Sequence, residues 1–299
     1  MASSSNGKTS VTKSYYLNPK MQVRTLTMPP LKASMSETTY LKVFLDDIGH
    51  SVHCMNTIAV SLSQLTPETT PPKELNISWK PGNVTSSSIN ARRFAIKSSI
   101  VYSVESLFEY LSKISKDNFW SGTGKNFNES SKQNISKADR VADFLTGIPD
   151  IKKEWIIFTE LLCHWRNKVV HANSSNACIS KLSKQYLVEN SQRIFDDFYH
   201  FDVNLALDNF GNNKFTLKDV TTLITMLIKC ARAVDAYFIS TVKSQSDDAI
   251  YEVILNNHSF QTIMKQQESD KRFRQAIKWA ELNYGFLGMG TITRVIKTT

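Results

Sequence analysis

The segment from residue 165 to residue 171, Trp-Arg-Asn-Lys-Val-Val-His, combines side chains that could cleave RNA without a metal ion or other cofactor. Attack by the 2′-hydroxyl needs a base for that hydroxyl, an acid for the departing 5′ oxygen, and positive charge beside the phosphate. His171 suits the acid–base step because an imidazole titrates close to neutral pH. Arg166 stays charged and presents a planar fork to two phosphoryl oxygens. Asn167 can hydrogen-bond either residue, which makes these three the candidate catalytic residues.

The spacing of Arg166 and His171 sets a geometric requirement. Residues five apart in a continuous α-helix point roughly 140° away from each other. The two side chains can face one cleft if the helix bends or ends close to His171, and the polar run at residues 173–175 favours an end there. Alternatively, two such helices from two subunits build the cleft together.

Apolar residues recur every three or four positions along most of the chain, which predicts an all-α fold. The helix predicted over 88–116 carries Glu105 at the edge of its apolar stripe, where the carboxylate is either partly buried and paired or angled into solvent. Two or three short helices are expected after residue 244. The other predicted helices are 37–65, 88–116 with Ser88 as N-cap, 137–146, 150–171, 179–199 and one that starts at Thr216 and ends near Lys243.

Arg166, Asn167 and His171, at the end of an apolar helix, resemble the signature of the HEPN superfamily, R-x(4–6)-H with a polar residue directly after the Arg. The order of the helices is similar as well: a helix with an acidic residue, then the motif helix, then two more that close a bundle. The resemblance covers about residues 88–244. It implies a HEPN-like up-and-down helical bundle, to which this chain adds N- and C-terminal helices.

The same resemblance implies a function. HEPN ribonucleases of this kind are metal-independent homodimers with two motifs facing each other, and they act on RNA as toxins or anti-phage abortive-infection effectors. His171 would then be the acid–base residue, Arg166 would bind phosphate, Asn167 would orient both, and Glu105 would hold Arg166 or position the site. An antitoxin or another defence-system protein is a further implied partner. Toxins controlled by a nucleotidyltransferase have a Tyr where this chain has Asn173, which argues against that form of control.

Two alternatives remain open. One is a HEPN-like bundle that binds RNA, a nucleotide or a protein without cutting, although a module of that kind has no need to keep the whole Arg-Asn-His set. The other is an all-α structural or adaptor protein in which Arg166 and His171 only stabilise a helix end, where positive charge is favourable.

Charge and composition agree with an RNA-binding protein without requiring one. The chain of 299 residues carries a net charge of +9, with a pI of about 9.2, so its surface should attract polyanions. The sequence from Lys271 onward is basic and interleaved with aromatic residues, which suits either a nucleic-acid strand or a packed helix with its lysines outward. We divide the chain into a basic arm (1–36), an N-terminal helix with a Pro/Ser-rich connection (37–87), the HEPN-like domain (88–244) and a C-terminal helical extension (245–299).

Other sites and compartments are not favoured by the sequence. The four cysteines are far apart, so neither a disulfide framework nor a zinc site is expected. His50 and His53 are three residues apart but lack a third ligand, which favours a structural role. Residues 122–126 superficially resemble a phosphate-binding loop but lack its pattern. The polar first ten residues and the absence of a long apolar run predict a cytoplasmic protein.

Overall fold

The structure, a computed structural model, describes residues 37–122, 126–128, 135–171 and 178–297. Within these ranges the chain forms α-helices and short 3-10 turns and contains no strand, so the all-α prediction is confirmed. No helix in the described ranges combines the length and the apolar character needed to cross a bilayer. The predicted basic arm, residues 1–36, lies outside the described residues.

Twelve α-helices follow one another along the described part of the chain. The first, second, fourth and eighth are the longest, and the second, fourth and eighth form the centre of the described part of the chain. The helices are α1 (Thr39–Ser63), α2 (Val84–Ile114), α3 (Lys137–Thr146), α4 (Lys153–Val170), α5 (Lys181–Glu189), α6 (Ser191–Asp197), α7 (Val203–Gly211), α8 (Leu217–Lys243), α9 (Asp247–Leu255), α10 (His258–Met264), α11 (Ser269–Tyr284) and α12 (Met289–Lys297).

Side-chain caps determine where two of the long helices begin. The Thr216 hydroxyl accepts the backbone N–H of Asp219 at 3.1 Å, so the predicted start of α8 is confirmed. The prediction of Ser88 as the N-cap of α2 is wrong, because α2 already begins at Val84. The Asn83 side chain accepts the N–H of Ser86 at 2.8 Å and caps the helix one turn earlier.

The second half of the chain has more helices than its sequence predicts. The single helix expected over 179–199 divides into α5 and α6, because Asn190 between them leaves the helical conformation and its side chain donates to the Tyr186 carbonyl at 2.9 Å. Helix α7 was not predicted; it is capped by Asp202, whose carboxylate accepts the Leu205 N–H at 2.9 Å. Four helices, rather than two or three, follow residue 244.

The central helices share one continuous apolar core with their neighbours. Helix α1 packs along α2, α3 packs on α4, and α4 lies against both α2 and α8. A buried polar contact joins three of these helices: the Asp235 carboxylate of α8 accepts the backbone N–H of Thr38 at 3.0 Å and also the Thr38 hydroxyl, at the start of α1. The hydroxyl of Tyr110 in α2 donates to the Ala231 carbonyl of α8 at 3.0 Å and lies 3.4 Å from the same carboxylate.

The C-terminal helices extend this core. The Tyr284 ring at the end of α11 meets Phe119 edge-on with centroids 5.2 Å apart. Phe286 contacts Phe238 of α8 with centroids 6.0 Å apart. The described residues on either side of the predicted HEPN-like domain are therefore part of the same core as the domain itself.

Candidate active site

Helix α4 ends immediately before the candidate catalytic histidine. Val170 is its last residue, and His171 follows with an extended backbone (φ −114°, ψ 97°) while its N–H still donates to the Asn167 carbonyl at 2.9 Å. The side chain of His171 is exposed to solvent. The expectation that the helix ends close to His171 is therefore confirmed, and the 140° separation of a continuous helix does not apply to this residue.

Arg166 is held between two of the predicted site residues. Its Nη2 forms an ion pair with Oε1 of Glu105 on α2. Its Nη1 donates to the Asn167 side-chain oxygen at 3.2 Å. The arginine side chain is 14% exposed, and its Nε is shielded from solvent without a hydrogen-bond partner among the described residues. The sequence left open whether the Glu105 carboxylate is paired or angled into solvent, and the structure shows it paired with Arg166.

Lys137 is a third charged residue at this site, beside Arg166 and Glu105. The Lys137 Nζ at the start of α3 lies 3.7 Å from Oε2 of Glu105. It also lies over the Phe108 ring, 4.8 Å from the centroid. Glu105 therefore stands between two cations, and the three charges leave a net positive site. The sequence offered no signal for Lys137, because the contact depends on how α2 and α3 pack.

The C-terminal end of α4 is fixed by contacts with the region around α7. The Lys168 Nζ donates to the Phe210 carbonyl at 2.9 Å and lies 3.9 Å from the centroid of the Phe210 ring. Trp165 is fully buried, and its ring lies 4.8 Å from that of Phe215. Because these two residues flank Arg166 and Asn167, their packing sets the orientation of the motif.

Of the four predicted site residues, Arg166 contacts both Glu105 and Asn167, and His171 does not join them. In the described part of the chain, the His171 side chain makes no hydrogen bond or ion pair with Glu105, Arg166 or Asn167. One chain therefore presents a paired arginine and, just beyond the helix end, one exposed histidine.

The other candidate residues of the sequence do not form a competing site. All four cysteines are free. Burial raises the pKa of the Cys163 thiol far above its usual range and that of the Cys230 thiol to about 12, so neither is a nucleophile near neutral pH. The ring Nε2 of His50 lies 3.7 Å from the Cys54 sulfur at an exposed position.

Comparisons with models of known protein families, with curated proteins and with solved structures give no match to this chain.

Proposed function

We propose that the protein is a metal-independent endoribonuclease of the HEPN type, active as a homodimer and serving as a toxin or anti-phage effector. One observation carries the proposal: α4 ends between Arg166 and His171, with Arg166 already positioned by Glu105 and Asn167. A charged group for the phosphate and an exposed imidazole thus lie at one end of one helix.

In the proposed reaction, the scissile phosphate binds to the N–H groups of Arg166 that remain accessible. One His171 removes the proton of the 2′-hydroxyl, and the 2′-oxygen forms a bond to phosphorus. The bond from phosphorus to the 5′ oxygen breaks, and that oxygen receives a proton. The products are a 2′,3′-cyclic phosphate and a 5′-hydroxyl. Since each chain supplies one such histidine, the His171 of a second copy provides the acid.

The contacts of Arg166 support this role. Glu105 and Asn167 engage both of its terminal nitrogens, so the guanidinium is fixed before RNA binds and little ordering is needed on binding. Lys137 offsets the charge of Glu105 and keeps the site positive, as stabilisation of a crowded phosphate requires.

The test is cleavage of a total RNA preparation in EDTA by the wild type and by His171→Ala. Because the His171 side chain is exposed, the substitution should leave the fold intact. We expect loss of cleavage by at least about 100-fold, the usual contribution of an acid–base group. Arg166→Ala and Arg166→Lys should also lose activity. The matched control is His53→Ala, which removes an exposed histidine of α1 and should cut like the wild type. Equal cleavage by His171→Ala would contradict the proposal.

The pairing of Arg166 with Glu105 also fits the second candidate function, a HEPN-like module that binds RNA, a nucleotide or a protein without cutting it. RNA that stays intact at high protein concentration, yet is retarded in a gel by the wild type and less by Arg166→Ala, would favour that function.

A further inference from the structure

A second cluster of chemically active side chains lies where α3 packs on α4. Asp139 of α3 and Glu160 and His164 of α4 each place one oxygen or nitrogen atom within 4.8 Å of the other two. Glu160 and His164 are four residues apart and share a face of α4. None of these residues belongs to the proposed nuclease site.

His164 is the residue of this cluster that indicates a bound ligand. The residue is 3% exposed, and both of its ring nitrogens are shielded from solvent without a hydrogen-bond partner among the described residues. Its Nε2 lies 3.7 Å from Oε1 of Glu160, which is too long for a hydrogen bond. A buried polar group without a partner is costly, so the ring requires a ligand that the described side chains do not supply.

The two carboxylates complete a site that is closed on one side and open on the other. The Glu160 side chain is 12% exposed, whereas Asp139 lies at the surface in the first turn of α3. One Asp139 oxygen accepts the Ser136 hydroxyl at 2.6 Å, which leaves the second oxygen available. The cluster therefore places two carboxylates beside a buried ring nitrogen. Such a site attracts a divalent cation, which can enter past Asp139.

We infer that Asp139, Glu160 and His164 bind a divalent transition-metal ion, with Zn²⁺ as the best match. An imidazole nitrogen with two carboxylate oxygens is a ligand set that Zn²⁺ accepts, and harder ions such as Mg²⁺ prefer oxygen alone. At bond lengths of about 2.0–2.2 Å, two ligands of one ion lie at most about 4.4 Å apart. Metal binding therefore requires the Asp139 and Glu160 side chains to rotate toward the His164 ring, so that all three ligand atoms come within that limit.

A metal ion at this site would fix α3 to α4. Lys137 and Arg166 are on the same two helices, so the ion would also hold their relative position. This role is structural and does not depend on the proposed nuclease activity, which needs no metal. The metal site and the nuclease activity can be disproved independently, because metal binding is measured without RNA and RNA cleavage is measured in the presence of a chelator.

The experiment is calorimetric titration of the full-length protein with Zn²⁺ after chelation and dialysis. We expect about one ion per chain and an affinity at least about tenfold weaker in Asp139→Asn and in His164→Gln. Asp139→Asn is the decisive variant, because the residue is exposed and its substitution leaves the core intact; circular dichroism checks the fold of both. The matched control, His50→Gln, removes the exposed histidine beside Cys54 and should bind like the wild type.

Two results would overturn the inference. One is the absence of stoichiometric Zn²⁺ binding, which would leave His164 and Glu160 as two buried neighbours without a bound ion. The other is binding that Asp139→Asn and His164→Gln leave unchanged, or that His50→Gln abolishes, which would assign the ion to the surface.

Discussion

Glu105 is the residue that determines how Arg166 is presented. It comes from a different helix, and its other oxygen faces Lys137 at 3.7 Å. Asn167 holds the second terminal nitrogen of the arginine. Loss of the carboxylate would free the guanidinium to rotate, while the helix that carries it would stay in place.

We therefore expect Glu105→Gln to lower the rate of RNA cleavage by at least about tenfold with little change in the thermal unfolding midpoint. The matched control is Glu109→Gln, one turn further along α2, where an exposed carboxylate pairs with Lys113 at 2.6 Å. The assay is initial cleavage rate in EDTA. A Glu105→Gln protein as active as Glu109→Gln would show that Glu105 does not position the site.

Some residues of the two candidate sites could be predicted from the sequence, and others could not. Arg166, Asn167 and His171 lie within one six-residue segment that forms a motif, and Glu105 could be selected because it is an acidic residue at the edge of an apolar stripe. Lys137 and Asp139 could not be selected, since nothing in α3 shows which helices it contacts. The pair Glu160 and His164 has a regular four-residue spacing, but its apolar neighbours make the segment look like core alone.

At the scale of the elements, the contact of α4 with the end of α7 fixes the motif. The Lys168 ammonium both donates to a backbone carbonyl and covers the ring of Phe210. We expect Lys168→Ala to lower the free energy of unfolding by about 1–2 kcal/mol through loss of these two contacts. Urea denaturation measures this change. The exposed Lys181 provides the control, and an equal effect of Lys181→Ala would exclude a specific contribution from Lys168.

The first turn of α4 contains a carboxylate whose ionisation should stabilise the fold. Burial of Glu154 is the largest single influence and acts to raise its pKa, but the hydrogen bond from Arg193 at 3.0 Å, the positive charge of that arginine and the other hydrogen bonds to the carboxylate together hold the pKa below its usual value. Tyr186 donates to the other oxygen at 3.1 Å. Because the folded pKa is lowered, this stabilisation is present above the unfolded pKa and is lost as the pH falls through the folded pKa.

The test is the difference in unfolding free energy between the wild type and Glu154→Gln. We expect about 1 kcal/mol near neutral pH, since Arg193 is 41% exposed and solvent screens the pair. The difference should shrink as the pH falls from about 5 toward about 3. Glu252→Gln, at an exposed position of α9, should show no such trend. A difference that stays constant with pH would contradict the assigned ionisation.

The limits of the helices show which parts of the fold a sequence can reveal. The bounds of α1 and α8 were predicted to within two residues, because long apolar stripes and a threonine cap define them. The division at Asn190 depends on a local side-chain hydrogen bond, and the short helices after residue 244 depend on their packing against one another, which periodicity does not reveal.

At the scale of the whole molecule, Asp235 joins the start of α1 to α2 and α8. It is 1% exposed and accepts two hydrogen bonds from Thr38, and the Tyr110 hydroxyl lies 3.4 Å from one of its oxygens. We expect Asp235→Ala to lower the free energy of unfolding by roughly 2–3 kcal/mol, because the donors lose a buried acceptor. Denaturant titration gives the value, with Asp208→Ala at an exposed position of α7 as control. A change no larger than that of the control would contradict the role of Asp235.

The proposed chemistry places its acid and its base on two copies of the chain and requires no metal ion. The most direct measurement of this claim is the identity of the ends produced when the wild type and His171→Ala act on RNA in EDTA. We predict 2′,3′-cyclic phosphate and 5′-hydroxyl ends from the wild type and intact RNA with His171→Ala. Products with 3′-hydroxyl and 5′-phosphate ends, or cleavage that persists in His171→Ala, would contradict it.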